Sequence, residues 1–283
     1  MRVYIIIPAY NEEKYLSATL DSLINQTAPA SNIVIADDNS TDNTATICKS
    51  YVEKHPNISY IKTSETGDHL PGSKVINAFY QAYNSIDQEY DIICKFDADL
   101  IFPSDYLKTI CTAFTEDPAV GMAGGFCYIQ KNDTWVLENL TNKDHIRGAL
   151  KAYRKSCFEA IGGLKTAMGW DTVDELLAQY HQWSIKTIET LHVKHLKPTG
   201  HTYTAKARYK QGEAFYKMRY GFIITVIASI KLALLKKKPL LFFDYIIGFF
   251  KAKQHKCSYL VSKKEGAYIR SLRWKKIKEK ILR

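Results

Sequence analysis

Short apolar runs alternate with longer amphipathic stretches along the first 125 residues of the chain. Five runs have the length and composition of β-strands, at 3–7, 33–36, 58–61, 92–96 and 120–126. Between them, apolar residues recur at helical spacing, which predicts helices near 15–24, 40–51, 73–83 and 104–114. This alternation indicates an α/β fold, in which helices flank a mostly parallel sheet with right-handed crossovers.

Three of the predicted strands are followed directly by polar segments that carry carboxylates. These segments are Pro8–Glu12, Asp37–Asp42 and Asp97–Asp99. Each segment alone could be a turn or a helix cap. However, ligands of open α/β sheets bind beyond the carboxyl ends of the strands. The three segments together are therefore expected to form one site.

The spacing of Asp97 and Asp99 favours a metal site. A turn after a buried strand can aim both carboxylates at one hard cation, and Mg²⁺ or Mn²⁺ usually completes its shell with water and substrate phosphates. The chain has no Gly-x-x-x-x-Gly-Lys-Ser/Thr loop, which excludes a P-loop enzyme. It also has no Gly-x-Gly-x-x-Gly after the first predicted strand, which argues against a Rossmann dehydrogenase. Cysteine and histidine spacing does not suggest a zinc site.

The net charge of +10 is the sum of two unequal parts. Residues 1–205 hold 18 basic and 25 acidic residues, whereas residues 206–283 hold 21 basic and four acidic residues. This division predicts an acidic folded domain over 1–205 and a basic helical extension over 206–283. The six cysteines lack Cys-x-x-Cys spacing, which predicts reduced core thiols in a cytoplasmic protein.

The basic extension contains two apolar segments, Phe222–Leu235 and Pro239–Phe250, separated by three lysines. Each is shorter than the roughly 20 residues that cross a bilayer, so a membrane-spanning pair is the less favoured interpretation. Short apolar helices among basic and aromatic residues suit peripheral attachment to the inner membrane surface. The alternative is a tail packed on the preceding domain. Nucleic-acid binding is disfavoured because no nucleic-acid-reading fold accompanies the basic residues.

Three motifs, in order and spacing, resemble those of family-2 glycosyltransferases with the GT-A fold. They are Ile-Ile-Pro-Ala-Tyr-Asn-Glu-Glu at 6–13, Ala-Asp-Asp-Asn-Ser-Thr-Asp at 36–42 and Phe-Asp-Ala-Asp at 96–99. The resemblance implies inverting transfer of a sugar from a nucleotide-diphosphate donor. It also implies a nucleotide-sugar-binding half at 1–125 and a half at 126–205 that binds the acceptor and carries the catalytic base.

The resemblance further implies roles for individual residues. Asp38 is expected to contact the nucleotide base, with Asp37 as the weaker candidate. Lys74 is expected to contact a donor phosphate, a surface lysine being the alternative. Asp99 and Asp97 are expected to hold the metal, with Asp97 also close to the donor. The residues expected to line the nucleotide site are Pro8, Ala9, Tyr10, Asn11 and Glu12.

The catalytic base stays open between two aspartates. Relatives supply it from a Glu-Asp pair at the start of a helix, but here Trp170 stands where the glutamate is expected. Counting back from the aromatic residue that ends this helix in relatives favours Asp171, while the other local register favours Asp174. His192 and His195 lie on opposite sides of an extended segment. By resemblance, His195 is the better candidate for a third metal ligand.

These observations predict a metal-dependent inverting glycosyltransferase that uses Mg²⁺ or Mn²⁺ and, as the favoured donor, a UDP-sugar. The expected acceptor is a glycan or lipid-linked intermediate of surface polysaccharide synthesis, at the inner face of the cell membrane. A sugar nucleotidyltransferase is the nearest enzymatic alternative, although it would be expected to carry a glycine-rich loop where Pro8–Glu12 lies. The non-enzymatic alternative is a membrane-surface adaptor that has lost catalysis.

Overall fold

The computed structural model describes residues 1–64, 73–138, 143–197 and 208–281. Its strands are β1 (Val3–Ala9), β2 (Asn32–Asp37), β3 (Ile58–Lys62), β4 (Ile92–Phe96), β5 (Leu100–Ile101), β6 (Val120–Lys131), β7 (Thr134–Leu137), β8 (Leu150–Arg154) and β9 (Ser184–His195). Its helices are α1 (Leu16–Ile24), α2 (Thr44–Lys54), α3 (Ser73–Tyr83), α4 (Tyr106–Glu116), α5 (Lys155–Ala160), α6 (Trp170–Tyr180), α7 (Lys210–Lys217), α8 (Phe222–Leu235), α9 (Leu241–Gln254) and α10 (Lys263–Ile281). The predicted boundary at residue 205 lies outside the described residues.

The described strands form one sheet in the order β3-β2-β1-β4-β8-β6-β9-β5, with β7 paired on β6. The first four strands of this order are parallel. β8 runs antiparallel to both of its neighbours, β4 and β6. Because β1, β2 and β4 are adjacent and run in one direction, the three polar segments that follow them meet at one edge of the sheet.

Most predicted elements occur where the apolar pattern places them. β4 and α3 occupy 92–96 and 73–83 without change, and β1 and β2 extend one or two residues beyond their predicted bounds. The fifth predicted strand differs, because β6 continues to Lys131 and is separated from the parallel strands by β8. The first half of the sheet is therefore parallel and the second half is mixed.

The centre of the sheet is enclosed on both sides. Every residue of β1 and β4 is buried, as expected for parallel strands covered by helices on both faces. The same apolar core continues into the C-terminal helices through Phe215, Met218, Ile224 and Tyr245. The basic extension is thus packed against the α/β part of the molecule.

Helices α7 and α9 approach each other closely because each presents a glycine at their contact. A Cβ atom added to Gly212 would lie 1.8 Å from the carbonyl oxygen of Tyr245. One added to Gly248 would lie 2.1 Å from the carbonyl oxygen of Tyr209. A larger residue at either position would force the two helices apart.

Helix α10 connects the extension to α6 and to the loop before β8. The hydroxyl of Tyr268 donates to the carbonyl oxygen of Gln179 at 3.1 Å, and the Lys276 ammonium pairs with Asp144 at 2.9 Å. Within the described ranges, none of the helices combines the length and the apolar character that a bilayer crossing demands. All six cysteines are free thiols, four of them buried.

Candidate active site

Hydrogen bonds join the loops that follow β1 and β2. Asn11 adopts a left-handed backbone conformation, with a φ of 54°. Its N–H donates to the Ser40 hydroxyl at 2.9 Å, and its side-chain oxygen accepts the N–H of Thr41 at 2.8 Å. The N–H of Glu12 donates to the Thr44 hydroxyl at 2.8 Å. These contacts hold two of the polar segments together as one surface.

The two aspartates after β2 have different surroundings. Asp37 is buried and accepts hydrogen bonds from the Tyr60 hydroxyl at 3.0 Å and the Ser40 N–H at 2.9 Å. Asp38 is partly exposed and accepts one hydrogen bond, at 3.2 Å, from the Thr63 hydroxyl. Asp37 therefore stabilises the loop, while Asp38 retains the exposure that a ligand contact needs.

Lys74 lies beside the loop that was predicted to bind the nucleotide. Its ammonium is 5.4 Å from the centre of the Tyr10 ring, which is within cation–π range. Tyr10 is half exposed, whereas Pro8 and Ala9 belong to β1 and are buried. The first turn of α3 thus brings a positive charge next to the end of β1.

Asp97 and Asp99 follow β4 but have different partners. Asp97 is partly exposed and pairs with the ammonium of Lys95, a buried residue of β4. Lys95 also donates to the carbonyl oxygen of Gly148 at 3.1 Å. Asp99 is buried, and its Oδ2 lies 3.5 Å from Nε2 of His195. The Asp-x-Asp segment therefore offers one carboxylate held by a lysine and one that meets His195.

A carboxylate that the sequence analysis did not identify holds His195 in place. Glu138 follows β7, and its Oε2 lies 2.8 Å from Nδ1 of His195 and also pairs with Arg147. Histidines that bind metals commonly have their second nitrogen held by a carboxylate in this way. Burial alone would lower the pKa of His195, but hydrogen bonds with Asp99 and Glu138 outweigh it and raise the pKa to about 9.

Two buried carboxylate oxygens, one after β1 and one after β4, lack a donor among the described residues. Glu12 Oε1 pairs with the Lys197 ammonium at 2.9 Å, but Glu12 Oε2 and Asp99 Oδ1 have no hydrogen-bond partner among the described residues. Burial raises the pKa of Glu12; Lys197 acts against this rise and the charge of Asp99 adds to it. Buried carboxylate oxygens need a donor or a cation. Asp99 and His195 lie 3.5 Å apart and offer an oxygen and a nitrogen ligand of the kind that binds Mg²⁺ or Mn²⁺, and Glu12 offers a further oxygen after β1.

A second set of ligand atoms lies behind His195. Cys127, Glu138 and His195 each place one such atom within 4.8 Å of the other two. Burial raises the pKa of the Cys127 thiol to about 12, and sulfur is a soft ligand that suits Mg²⁺ or Mn²⁺ poorly. Glu138 is already paired with Arg147. Cys127 and Glu138 therefore lie behind His195, and the side of His195 that faces Asp99 is the better candidate for a cation site.

Asp171 and Asp174, the two candidates for the base, lie at the start of α6. The side chain of Asp171 is 36% exposed, and its Oδ2 is 3.9 Å from Nε2 of His145. Asp174 is 1% exposed and accepts hydrogen bonds from Lys151 at 2.8 and 2.9 Å and from the Tyr153 hydroxyl at 2.5 Å. Asp171 can thus contact a ligand, while Asp174 is enclosed.

Trp170, which replaces the glutamate of the expected Glu-Asp pair, is buried next to two lysines. The centre of its ring lies 5.3 Å from the Lys95 ammonium and 5.9 Å from the Lys151 ammonium. Lys95 pairs with Asp97, and Lys151 pairs with Asp174. Cation–π contacts with one ring therefore connect the Asp-x-Asp segment to the helix that carries Asp171.

A family model for glycosyl transferase family 2 matches residues 4–165, which is more than half of the chain. The chain belongs to glycosyl transferase family 2. The fold and the enzyme class predicted from the three motifs are therefore confirmed.

One curated relative is named as a polymer glucosyltransferase. The poly(ribitol-phosphate) beta-glucosyltransferase of Bacillus spizizenii is 42% identical over 64 residues, which cover 22% of this chain and 10% of that protein. The chain spans less than half the length of the first curated relatives that it matches.

Two solved structures have the same GT-A fold. S. aureus TarS in complex with UDP-GlcNAc superposes with a TM-score of 0.58 and 18% identity, over 89% of this chain and 73% of that chain. Mannosyltransferase PcManGT from Pyrobaculum calidifontis, in complex with GDP-Man and Mn²⁺, gives a TM-score of 0.58 and 18% identity, over 95% and 79%.

The sequence did not indicate several charged residues of the candidate site. Lys95 and Lys151 interrupt the apolar strands β4 and β8, and a lysine inside such a run was the available signal, because an unpaired lysine is rarely buried. Glu138 and Arg147 carry no comparable local signal. Glu138 meets His195 through the pairing of β6 with β7 and β9, and Arg147, which precedes β8, pairs with Glu138.

Proposed function

We propose that this glycosyltransferase moves a sugar from a nucleotide-diphosphate donor to an acceptor hydroxyl, with a divalent cation and with inversion at the anomeric carbon. The observation that carries the proposal is that two buried carboxylate oxygens, Glu12 Oε2 and Asp99 Oδ1, lack a donor among the described residues, while Asp99 Oδ2 lies 3.5 Å from His195 Nε2. This ligand set suits Mg²⁺ or Mn²⁺, and such ions usually complete their shell with substrate phosphates.

The donor is proposed to bind over the loops that follow β1 and β2. Partly exposed Asp38 would accept a hydrogen bond from the nucleotide base, and Lys74 would attract a donor phosphate beside Tyr10. A UDP-sugar is the favoured donor, in line with the UDP-GlcNAc complex of S. aureus TarS. PcManGT was solved with GDP-Man, so guanosine donors belong in any test.

In the proposed reaction, the Asp171 carboxylate takes the proton of the acceptor hydroxyl while the hydroxyl oxygen attacks the anomeric carbon. The bond from that carbon to the diphosphate oxygen breaks, and the nucleoside diphosphate leaves with the electron pair. The cation, held by Asp99 and His195 with Asp97 or Glu12 in support, would neutralise negative charge on the departing diphosphate. Exposure of Asp171 and enclosure of Asp174 support Asp171 as the base.

The acceptor is proposed to be a glycan or lipid-linked intermediate of a surface polysaccharide. Support comes from the similarity to a poly(ribitol-phosphate) beta-glucosyltransferase. Support also comes from the 21 basic and four acidic residues of 206–283, which suit the anionic inner face of a cell membrane. In this proposal, residues 1–205 carry out transfer and residues 206–283 contact the membrane surface.

Release of nucleoside diphosphate from UDP-, GDP- and dTDP-sugars, each with Mn²⁺, Mg²⁺ or EDTA, tests the proposal. Release should require a cation and should fall by about 100-fold or more in Asp99→Asn, because charge on the leaving group is then poorly stabilised. Asp105→Asn, at an exposed position before α4, is the matched control and should keep wild-type activity.

Three outcomes would contradict the proposal. Full activity of Asp99→Asn, or release that EDTA does not affect, would refute the metal assignment. Pyrophosphate release from a nucleoside triphosphate and a sugar phosphate would indicate a nucleotidyltransferase instead. No release with any donor, metal and acceptor would favour the non-catalytic adaptor.

A further inference from the structure

Helix α9 exposes a continuous stripe of large apolar side chains. Leu240, Phe243, Ile247 and Phe250 follow one another at intervals of three, four and three residues, which places them on one side of the helix. All four are between 41% and 74% exposed. The opposite side of α9, which includes Tyr245, is buried against α7. These four side chains therefore form an apolar stripe at the surface of the molecule.

Helix α8 carries a second exposed apolar stripe. Ile223, Ile230 and Leu234 follow at intervals of seven and four residues and are all exposed. Phe222 joins the two stripes, because its ring lies 5.5 Å from that of Phe250. We call this surface the α8–α9 face; it consists of Phe222, Ile223, Ile230, Leu234, Leu240, Phe243, Ile247 and Phe250.

The charges around the α8–α9 face have one sign. Residues 222–256 contain seven lysines and a single acidic residue, Asp244. Asp244 is buried, and its Oδ1 pairs with Nε of Arg208 at 2.7 Å. Six of the seven lysines cluster at the two ends of α9, at 236–238 and at 251–256. An apolar surface is therefore bordered by cations.

A cavity of about 530 Å³ opens where α8, α9 and α10 meet. Its lining combines cations with aromatic rings and, among the described residues, contains no carboxylate: Arg219, Lys253, Arg270, Phe222, Phe250 and Tyr259 are part of it.

The guanidinium of Arg219 is fixed in this cavity. Its Nε donates to the Val261 carbonyl oxygen at 2.9 Å, and the group lies 3.4 Å from the centre of the Tyr259 ring. Arg270 donates to the carbonyl oxygen of Arg219 at 2.9 Å. Preorganised cations of this kind suit a phosphate group.

We propose that the α8–α9 face docks on an anionic phospholipid bilayer, with the apolar side chains among the upper acyl chains and a lipid phosphate in the Arg219–Arg270 cavity. This inference deepens the membrane contact within the proposed function, and it identifies which helices and residues make that contact. Apolar burial would provide affinity, and the surrounding lysines would select anionic lipid.

Charge favours a bilayer over a second copy of this chain. Two copies joined through the α8–α9 face would bring seven lysines from each copy close together, with Asp244 already paired in each. Like charges held close together oppose association. An anionic bilayer replaces this repulsion with attraction, because each basic residue near its surface then contributes favourably to binding.

The docked face would lie close to the catalytic helix. Helix α9 packs on α7 through Gly212 and Gly248. In turn, Ala214 of α7 and Met218, just after it, lie within 4 Å of a Cβ position on Gly169, which precedes α6 and Asp171. A bilayer under the α8–α9 face would therefore lie two helix layers from the proposed base, within reach of a lipid-linked acceptor.

Vesicle flotation of the full chain tests the apolar part of the proposal. Wild-type protein should bind phosphatidylcholine vesicles that contain about 30% phosphatidylglycerol, a fraction chosen to mimic an anionic membrane. The double variant Phe243→Ser/Ile247→Ser should bind at least about tenfold more weakly, because two exposed apolar side chains no longer enter the lipid. Both positions are exposed, so thermal unfolding should be unchanged.

Cation variants test the cavity. Lys253→Gln and Arg270→Gln should each weaken binding to the anionic vesicles by about fivefold and leave the weak binding to pure phosphatidylcholine unchanged. Lys108→Gln, an exposed lysine of α4, is the matched control and should bind like the wild type. Equal loss in the control would mean that the whole molecular charge, and not this cavity, drives binding.

Two further outcomes would overturn the docking proposal. One is equal binding of the wild type and the Phe243→Ser/Ile247→Ser variant. The other is a stable dimer of the wild type in light scattering that this variant abolishes. Failure of catalysis can be distinguished from failure of membrane docking. Asp99→Asn should lose transfer yet bind vesicles fully. The Phe243→Ser/Ile247→Ser variant should still release nucleoside diphosphate when the acceptor is soluble.

Discussion

Asp171 and Asp174 both lie near the start of α6, yet their environments allow different chemistry. Asp174 points into the molecule, where Lys151 and Tyr153 donate to it. Burial raises the pKa of Asp174 to about 6, against the opposing effect of Lys151. Asp171 is in the first turn and reaches the surface near His145. An acceptor hydroxyl can therefore approach Asp171 but not Asp174.

Exchange of each aspartate for asparagine should separate catalysis from stability. Asp171→Asn should reduce transfer by about 10²- to 10⁴-fold, the usual contribution of a general base, with an unchanged unfolding temperature. Asp174→Asn should instead lower the free energy of unfolding by about 1–3 kcal/mol, because a buried hydrogen-bonded carboxylate is lost. Turnover rates and urea unfolding of both proteins provide the measurement. The reverse pattern would make Asp174 the base.

Local sequence could bring Asp38 and Asp99 to one edge of the sheet, because the ends of neighbouring strands meet there, whereas His195 was expected only by resemblance. It could not choose between Asp171 and Asp174, since both fit a register at the start of the helix. The difference between them is burial, and burial at this point depends on Lys151 and Tyr153 of β8. Those contacts join residues more than 20 positions apart.

At the level of elements, one ion cluster joins α6 to β8. The Lys151 ammonium contacts Asp174 at 2.8 Å and Glu175 at 3.2 Å, and all three side chains are buried. Glu175 also accepts the N–H of Ile146 at 2.9 Å. This cluster fixes the rotation of α6, and therefore the direction in which Asp171 projects.

Removal of the lysine should destabilise the protein strongly. Lys151→Met leaves two carboxylates buried without their shared cation, which should lower the free energy of unfolding by about 3–5 kcal/mol in urea titrations at neutral pH. Lys108→Met, on the exposed side of α4, is the matched control and should change it by less than about 0.5 kcal/mol. A small effect at Lys151 would mean that the cluster does not hold α6.

The same cluster should make stability sensitive to alkaline pH. Burial alone would lower the pKa of Lys151, but Asp174 and Glu175 outweigh it and raise the pKa above its usual value. A raised pKa in the folded state stabilises fully below the unfolded value, about 10.5, and this contribution is lost as pH rises through the folded value. Above about pH 10.5, the wild type should therefore lose stability more steeply than Lys151→Met.

Predicted elements were most accurate where local pattern decides structure. The bounds of α3 and β4 follow directly from the apolar spacing of the sequence. The mixed half of the sheet could not be read in this way. β8 enters antiparallel between β4 and β6, and that choice depends on long-range pairing.

At the scale of the whole molecule, the acidic and basic parts of the chain share one core. Phe215, Met218, Tyr245 and Ile269 of the basic extension belong to the same buried cluster as β1 and β4. The two interpretations of the tail, packed or attached to membrane, are therefore compatible. One side of the helices is packed, and the α8–α9 face remains exposed.

A chain that ends at residue 205 should be much less stable than the full chain. Loss of α7 to α10 would expose apolar surface, and burial of each large side chain contributes about 1.5–3 kcal/mol, so we expect a loss of about 5 kcal/mol or more. Urea unfolding and binding of a hydrophobic dye are the measurements. Two separate transitions in the full chain, one unchanged in the truncated chain, would instead indicate independent domains.

The stacking of α9 on α7, and of α7 on the residue before α6, has a kinetic consequence. An enzyme that rests on lipid through α9 meets a lipid-linked acceptor by a search in two dimensions. Its rate would follow the mole fraction of acceptor in the bilayer and not the bulk concentration. Added lipid without acceptor would then slow turnover by surface dilution, although every catalytic residue remains unchanged.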